Sequence, residues 1–469
     1  MIQFEQKVSE LRKSGVFFTD STPVCISRAP GRLDLMGGNV DYTGGLVFQA
    51  TIREATWCAA QARKDSSIVL WNPQMEREGW LEHIDVQLSS LASEDAVRSI
   101  VNASPQVRWT AYVLGIFYLL RCKYPERIKT GTSVYIESEV PLNKGVSSSA
   151  AVEVAVMKAA AAAHGIALSG VELAEACQWV ENVIAESACG IMDQAASVLG
   201  DEGWVLPLLC QPCSAMPLVR LPKGLCCWGI DSGMRHAVTG PEYEAARAAA
   251  FIGYQMICGW ENLSFTLDRS GRVPRFVEPR WNGYLSSISP SSFRCKYEDD
   301  LPLLASGAEI MALGKVHPDP FTTIRAEMNY RIRACTRYAV EENHRIETFV
   351  ELARQAEDHP LSNAFRLMGD LMFQSHWSYT ECGLGCEATD LLVELVREEC
   401  GAGKKLYGAK VTGGGGGGTV AVLGAEDADD AFRLVLDKYA DARKCRPYVF
   451  EGSSMGADKF GIRRLEAQA

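Results

Sequence analysis

PLNKGVSSSAAVEVAV, residues 141–156, closes a strand, turns through one glycine and three serines, and enters an alanine-rich helix without a break. The preceding TSVYIESEV reads as a strand from its β-branched and aromatic residues, and the helix is expected to run to about residue 164. A strand feeding a loop and then a helix aims the free N–H groups and positive dipole end of the first turn at whatever occupies the loop. One serine suffices to cap a helix. Ser147, Ser148 and Ser149 after Gly145 exceed that need, so the stretch reads as an anion-holding loop. It lacks the lysine and the spacing of a Walker A sequence.

Outward from this loop, strands and helices mix without a regular strand–helix–strand repeat, which predicts an α+β fold. RWTAYVLGIFYLLRCKY (108–124) reads as an amphipathic helix, and another is expected over 170–187. CWGIDSG (227–233) opens a second half, so the chain is divided into domains 1–225 and 226–469. Residues 259–320, rich in serine, proline and isolated charges, read as long loops. Helices are expected again over 322–357 and 361–379, before a final strand, glycine turn, strand, helix and strand.

Three more stretches carry chemistry. VTGGGGGGTVAVL (411–423) sets six consecutive glycines between apolar, β-branched runs. A flexible linker would have polar flanks; apolar flanks point instead to close approach of this backbone to another backbone or a ligand. In SRAPGRLDLMGGNVDYTGGLV (27–47), Arg32, Asp34 and Asp41 sit among glycines and are able to converge on a small polyol. In ENVIAESACGIMDQ (181–194), Glu181 is followed twelve residues on by Asp193, in an apolar turn where a carboxylate needs a partner or a function.

Bulk properties narrow the choice. The chain has 469 residues, a hydrophobic fraction of 47% and a net charge of −11. Such a balance disfavours nucleic acid and anionic membrane as partners, while a local cluster of N–H groups still holds a small anion. The N-terminal MIQFEQKVSELRKSG lacks a signal-peptide core, and the most apolar run carries Glu153, Lys158 and His164, short of a clean membrane span. The chain is therefore read as cytoplasmic and monomeric, with a dimer left open. Its 16 cysteines are scattered and read as reduced thiols; Cys210-x-x-Cys213 lacks the second pair a zinc site needs.

Taken together and in this order, the stretches resemble the GHMP small-molecule kinases over essentially the whole chain. PLNKGVSSSA is similar to the family's phosphate loop and TGGGGGG to its C-terminal glycine motif. APGRLDLMGGNVDYTGG and CGIMDQ resemble the signature and catalytic segments of the galactokinase branch. Within that branch GRLDLMGGNVDYTGG, GVSSSAAVEVA, WGIDSGMRHAV and FEGSSMGADKFG look like the L-arabinokinase subfamily. The resemblance implies a two-domain fold with its active site in the cleft, and ATP-dependent phosphorylation of the anomeric hydroxyl of L-arabinose. Galactokinase, or a non-catalytic sugar sensor, remains the alternative.

The resemblance also implies roles. Gly145, Val146, Ser147, Ser148 and Ser149 would hold phosphate, with Gly414 and Gly415 beside them and Trp109 near the adenine. Ser149 and Glu181 would hold Mg²⁺. Asp193 would orient or deprotonate the acceptor hydroxyl, and Arg32 would offset charge on the transferred phosphoryl group. Asp41, Asn39, Gly38, Gly190 and Tyr243 fall at sugar-contacting positions. His236 and His376 fall near family positions, but a lone histidine is more often structural, and neither is assigned a role. One departure bears on substrate. Galactokinases read GEHxDY where this chain reads Gly37-Gly38-Asn39-Val40-Asp41-Tyr42, so Gly38 replaces a glutamate implied to bind the C6 hydroxyl of galactose. L-Arabinopyranose lacks that group. Glycine is expected to leave room there, with Val40 or Met36 as the candidates to close it.

Overall fold

The computed structural model describes residues 2–234, 240–314, 317–357 and 362–467. Two long strands, Val24–Met36 and Leu46–Ala62, pair antiparallel from Cys25↔Ala60 to Met36↔Phe48, with register shifts between Pro30 and Arg32 and between Asp34 and Met36. Nearly every residue of both is buried. Strands covered on both faces read as continuous apolar runs without alternation. Thr132–Ser138 pairs with one end of Leu46–Ala62 and Trp204–Leu209 with the other. Ser67–Trp71 and His83–Gln87 extend the sheet beyond Thr132–Ser138.

The chain changes sheets at Leu225–Asp231. This strand is flanked by Thr419–Ala425 and Val449–Glu451, and Leu406–Val411 completes a second sheet of four. The last described strand, Arg463–Leu465, returns to the first sheet and pairs with Val24–Ile26. The end of the chain thus joins the sheet of the first half, across the expected 225/226 boundary. One apolar core also runs through both halves, including Leu33, Val154, Tyr254, Phe349 and Met368.

Several helices differ from expectation. The helix expected over 170–187 is Gly170–Trp179 followed by a π-helical turn, Val180–Ile184, which carries Glu181. Such wide turns are frequent at functional sites. The helix expected from 322 starts at Ile332, because Asn329–Tyr330 pairs with Ala305–Ser306 instead. Pro241–Trp260 is a 20-residue helix that the sequence reading passed over, although proline at its first position and acids in its first turn were available as start signals. The segment 259–320 holds long loops, a hairpin of Thr266–Asp268 with Arg275–Val277, and the short helices Pro290–Lys296 and Gly307–Ala312.

Candidate active site

The serine-rich loop stands where the first sheet meets the glycine turn. Ser147 takes the left-handed conformation, φ 60°, and precedes the 16-residue helix Ser148–Ala163. Its Oγ is buried and has no hydrogen-bond partner among the described residues. A left-handed serine is strained, and a free buried hydroxyl beside a helix N-terminus is a ready anion contact.

The glycine turn backs this loop. Thr419 Oγ1 donates to Lys144 O at 2.8 Å, and Thr412 N donates to Thr419 O at 2.9 Å across the turn. A Cβ on Gly413 would lie 2.8 Å from Gly145 O, and one on Gly418 would lie 2.8 Å from Lys144 O. Both residues also have positive φ. Side chains are excluded because two backbones touch.

A cavity of about 580 Å³ opens at the junction. Gly145, Ser147, Ser148 and Ser149 line one side, with Gly414 beside them. Arg32, Asn39, Asp41, Glu181, Gly190, Asp193 and Tyr243 line the rest. Arg32 reaches Asp193 Oδ1 through Nε at 2.9 Å and Nη2 at 2.8 Å, while its Nη1 donates to Gly145 O at 2.7 Å. It thus ties the carboxylate to the serine-rich loop. Asp41 accepts from Tyr42 N at 2.9 Å and Met192 N at 3.2 Å. Burial first and Asp193 second push its carboxyl up to about 6.

Glu181 is buried beside the carboxylates of Asp193 and Glu153. It accepts from Gln194 Nε2 at 2.6 Å, and burial, then Asp193, pushes its carboxyl up to about 7, against a lowering hydrogen bond from Ser149. Gln194 also donates to Glu153 Oε2 at 3.2 Å. Glu153 is fully buried, and burial together with Glu181 holds its carboxyl well above the usual range. A hydroxyl and a carboxylate side by side, among like charges, suit a hard cation that takes its other oxygen ligands elsewhere. Sequence reasoning missed Glu153 and Gln194, although a glutamate inside SSSAAVEVAV and the residue after Asp193 were visible signals.

Other expected residues lie outside the cavity wall. Trp109 is 7% exposed, packs in the core and donates its indole N–H to Leu81 O at 3.0 Å. Val146 is buried behind the loop, and its carbonyl accepts from Arg32 N at 3.1 Å. Gly415 packs on Leu384. Asp34 does not face a ligand: it is buried against Lys410 Nζ at 2.5 Å and accepts from Gln49 Nε2 at 2.7 Å and Gly38 N at 2.9 Å. His376 is fully buried, with Nδ1 accepting from Val411 N at 3.3 Å. His236 lies outside the described residues.

The expectation that Gly38 leaves room is corrected by packing. A Cβ there would overlap Tyr379 Oη and come within 2.7 Å of Asp34 Oδ2. Tyr379 is fully buried and donates to Gly413 O, and Tyr338 Oη donates to Gly38 O at 2.7 Å. Neither Val40 nor Met36 does this. Val40 lies instead against Gly45.

No helix among the described residues is long and apolar enough to cross a membrane. Residues 16–62 match the galactokinase galactose-binding signature, 111–201 the GHMP kinases N terminal domain and 359–441 the GHMP kinases C terminal domain. The L-arabinokinase of Arabidopsis thaliana is 35% identical over 98% of this chain, which spans 48% of that protein, about half its length. The galactokinase of Chloroflexus aggregans is 30% identical over 91% of each chain. The crystal structure of Lactococcus lactis galactokinase complexed with galactose superposes with a TM-score of 0.72 at 22% identity, over 98% of this chain and 100% of that one. With the fold, the motifs and a full-length relative in agreement, the chain belongs to the GHMP kinase family, as a sugar kinase of the galactokinase type.

Proposed function

We propose that this kinase transfers the γ-phosphoryl group of ATP to the anomeric hydroxyl of L-arabinose. The observation that carries the choice of sugar is the packing at Gly38. Where galactokinases are implied to hold a glutamate for the C6 hydroxyl, Tyr379 and the Asp34–Lys410 pair fill the direction in which that side chain would leave. A substrate without C6 needs no partner there. A galactose hydroxyl would forgo a bond to a charged group, worth about 1.5–3 kcal/mol, or roughly ten- to a hundredfold in preference.

In this reading the sugar lies between Asn39, Asp41, Gly190 and Tyr243, with its anomeric oxygen toward Asp193 Oδ2, the oxygen that Arg32 leaves free. Asp193 orients that hydroxyl and takes its proton as the new phosphorus–oxygen bond forms and the bond from the γ-phosphorus to the bridging oxygen breaks, leaving ADP. Arg32, held by Gly145 O, offers positive charge where the transferred group gains negative charge. Phosphoryl transfer rests chiefly on such positioning and electrostatic stabilisation. Ser147 Oγ and the first turn of Ser148–Ala163 hold the phosphates. Ser149 and Glu181 are the residues suited to Mg²⁺, which when bound neutralises phosphate charge; Glu181→Ala is expected to raise the Mg²⁺ concentration needed for activity.

Incubation with Mg-ATP and a panel of monosaccharides, followed by ADP release, tests the reading. L-Arabinose is expected to give the highest kcat/KM, with galactose weaker. Galactose at parity or better overturns the arabinose assignment and leaves the kinase. A sugar that binds yet stimulates no ADP release makes the protein a sensor.

A further inference from the structure

Gln194 follows Asp193 on the helix Met192–Leu199, yet the two side chains have different surroundings. Asp193 lines the cavity, whereas Gln194 is 0% exposed and is not part of its wall. Successive helical residues lie about 100° apart, so one faces the cleft and the next faces the packing behind it. Two glutamates stand there. Gln194 Nε2 donates to Glu181 Oε2 at 2.6 Å and to Glu153 Oε2 at 3.2 Å, with Cys189 Sγ more distant at 3.9 Å. Glu153 lies one turn beyond Ser149 on the helix Ser148–Ala163, and positions four apart share a helix face. Ser149 itself hydrogen-bonds Glu181.

These neighbours fix which way the amide faces. A glutamine nitrogen carries two N–H groups and its oxygen none. Turned over, Gln194 would set a carbonyl oxygen against two carboxylates. As placed, it has one N–H for each glutamate and leaves its own Oε1 buried with no partner among the described residues. An unpaired buried acceptor is costly and calls for an explanation. The two glutamates supply it. Without a donor between them, like charges would meet in a medium that screens them poorly. Glu181 has room to move, because it lines the cavity and Glu153 does not. A carboxylate that has swung aside is a poorer ligand for a hard cation.

We propose that Gln194 is a positioning residue for the phosphoryl transfer: braced on Glu153, it holds Glu181 by Oε2 from behind and keeps that carboxylate set beside Ser149. Gln194 is buried away from ATP and sugar and acts through Glu181 alone. The proposal rests on the reading of Ser149 and Glu181 as the residues suited to Mg²⁺. Hydrogen bonds to the far side of a ligating group orient it, and losing one typically costs about ten- to a hundredfold in metal affinity.

Calorimetric titration of the full chain with ADP, once in Mg²⁺ and once in EDTA, gives the factor by which Mg²⁺ tightens ADP binding. Gln194→Met keeps the length of the side chain and removes its donors. In this variant the factor is expected to fall about tenfold, while ADP affinity in EDTA and the KM for the preferred sugar stay within about twofold. The Mg²⁺ concentration for half-maximal turnover should rise by a similar factor, with turnover recovering at saturating Mg²⁺. Gln194→Asn keeps an amide but draws it back by one methylene; it should show the same loss, and it serves where the Met variant fails to fold. A packing role alone would lower the unfolding temperature, or weaken ADP equally with and without Mg²⁺, and leave the factor at its wild-type value. That outcome overturns the role of Gln194 and leaves the Mg²⁺ assignment standing. No tightening by Mg²⁺ in the wild type overturns the assignment of Ser149 and Glu181, and this proposal with it.

Discussion

Arg32 and Asp34 stand two residues apart on one strand, and each is half of an ion pair with Asp193 or Lys410. The pairs differ in what surrounds them. Asp193 keeps 21% of its side chain exposed and opens on a cavity, whereas the side chains of Lys410 and Asp34 are both 0% exposed. A pair at a cleft can loosen toward a substrate. A fully buried one cannot part without leaving a desolvated charge, so it acts as a clamp between the first sheet and the strand entering the glycine turn. The same short motif therefore carries a pair at the proposed reaction centre and a structural pair, and burial separates them.

The sharpest way to break this contrast is to remove the clamp. Lys410→Met leaves Asp34 buried and unpaired, and is expected to cost about 3–5 kcal/mol in chemical denaturation. A loss under about 1 kcal/mol would mean that the pair is not structural. Gly38→Glu, tempting as a route to galactose, should instead destabilise by about 3 kcal/mol, because its side chain meets Tyr379 and its charge is buried beside Asp34. A stable variant with improved galactose turnover would refute that packing argument.

Asp193→Asn tests the other pair. Sugar and ATP binding should stay within about tenfold while turnover falls on the order of a hundredfold or more, or about 2.7 kcal/mol in barrier. Near-normal turnover would remove Asp193 from the mechanism.

The pH dependence extends the contrast to Asp41. Its carboxyl rises from 3.8 to about 6 in the folded protein, so folding favours the protonated form. Its contribution is complete below about pH 4 and declines as pH rises to about 6, on the order of 3 kcal/mol. Wild-type stability should therefore fall relative to Asp41→Asn across that window, and parallel curves would contradict the shift. The smallest effect is expected from Tyr379→Phe. It removes the hydroxyl that lies against Gly38 and its bond to Gly413 O, costing about 1 kcal/mol, with the arabinose preference retained through Asp34 and Lys410. A variant that gains galactose activity would show that the hydroxyl, not the Asp34–Lys410 pair, closes the space.

Much of this site was legible because its parts are local. Three serines after Gly145, six glycines between apolar strands, and a carboxylate in an apolar turn each announce their surroundings within a dozen residues. The roles that escaped depend on partners far along the chain. Asp34 looked like a polyol contact until Lys410, 376 residues away, was seen to neutralise it. Gly38 looked open until Tyr379 was seen over it. The π-helical turn at Val180–Ile184 has no signature in composition, since tertiary packing selects it.

Backbone requirements were thus written in the sequence: where a side chain is forbidden, where a helix N-terminus faces a loop, where a charge enters an apolar turn. Only the tertiary structure decided which charges are spent on one another, what fills the space a glycine vacates, and which buried donors remain unpaired. Those outcomes depend on distance and desolvation between segments hundreds of residues apart, and a linear pattern holds neither.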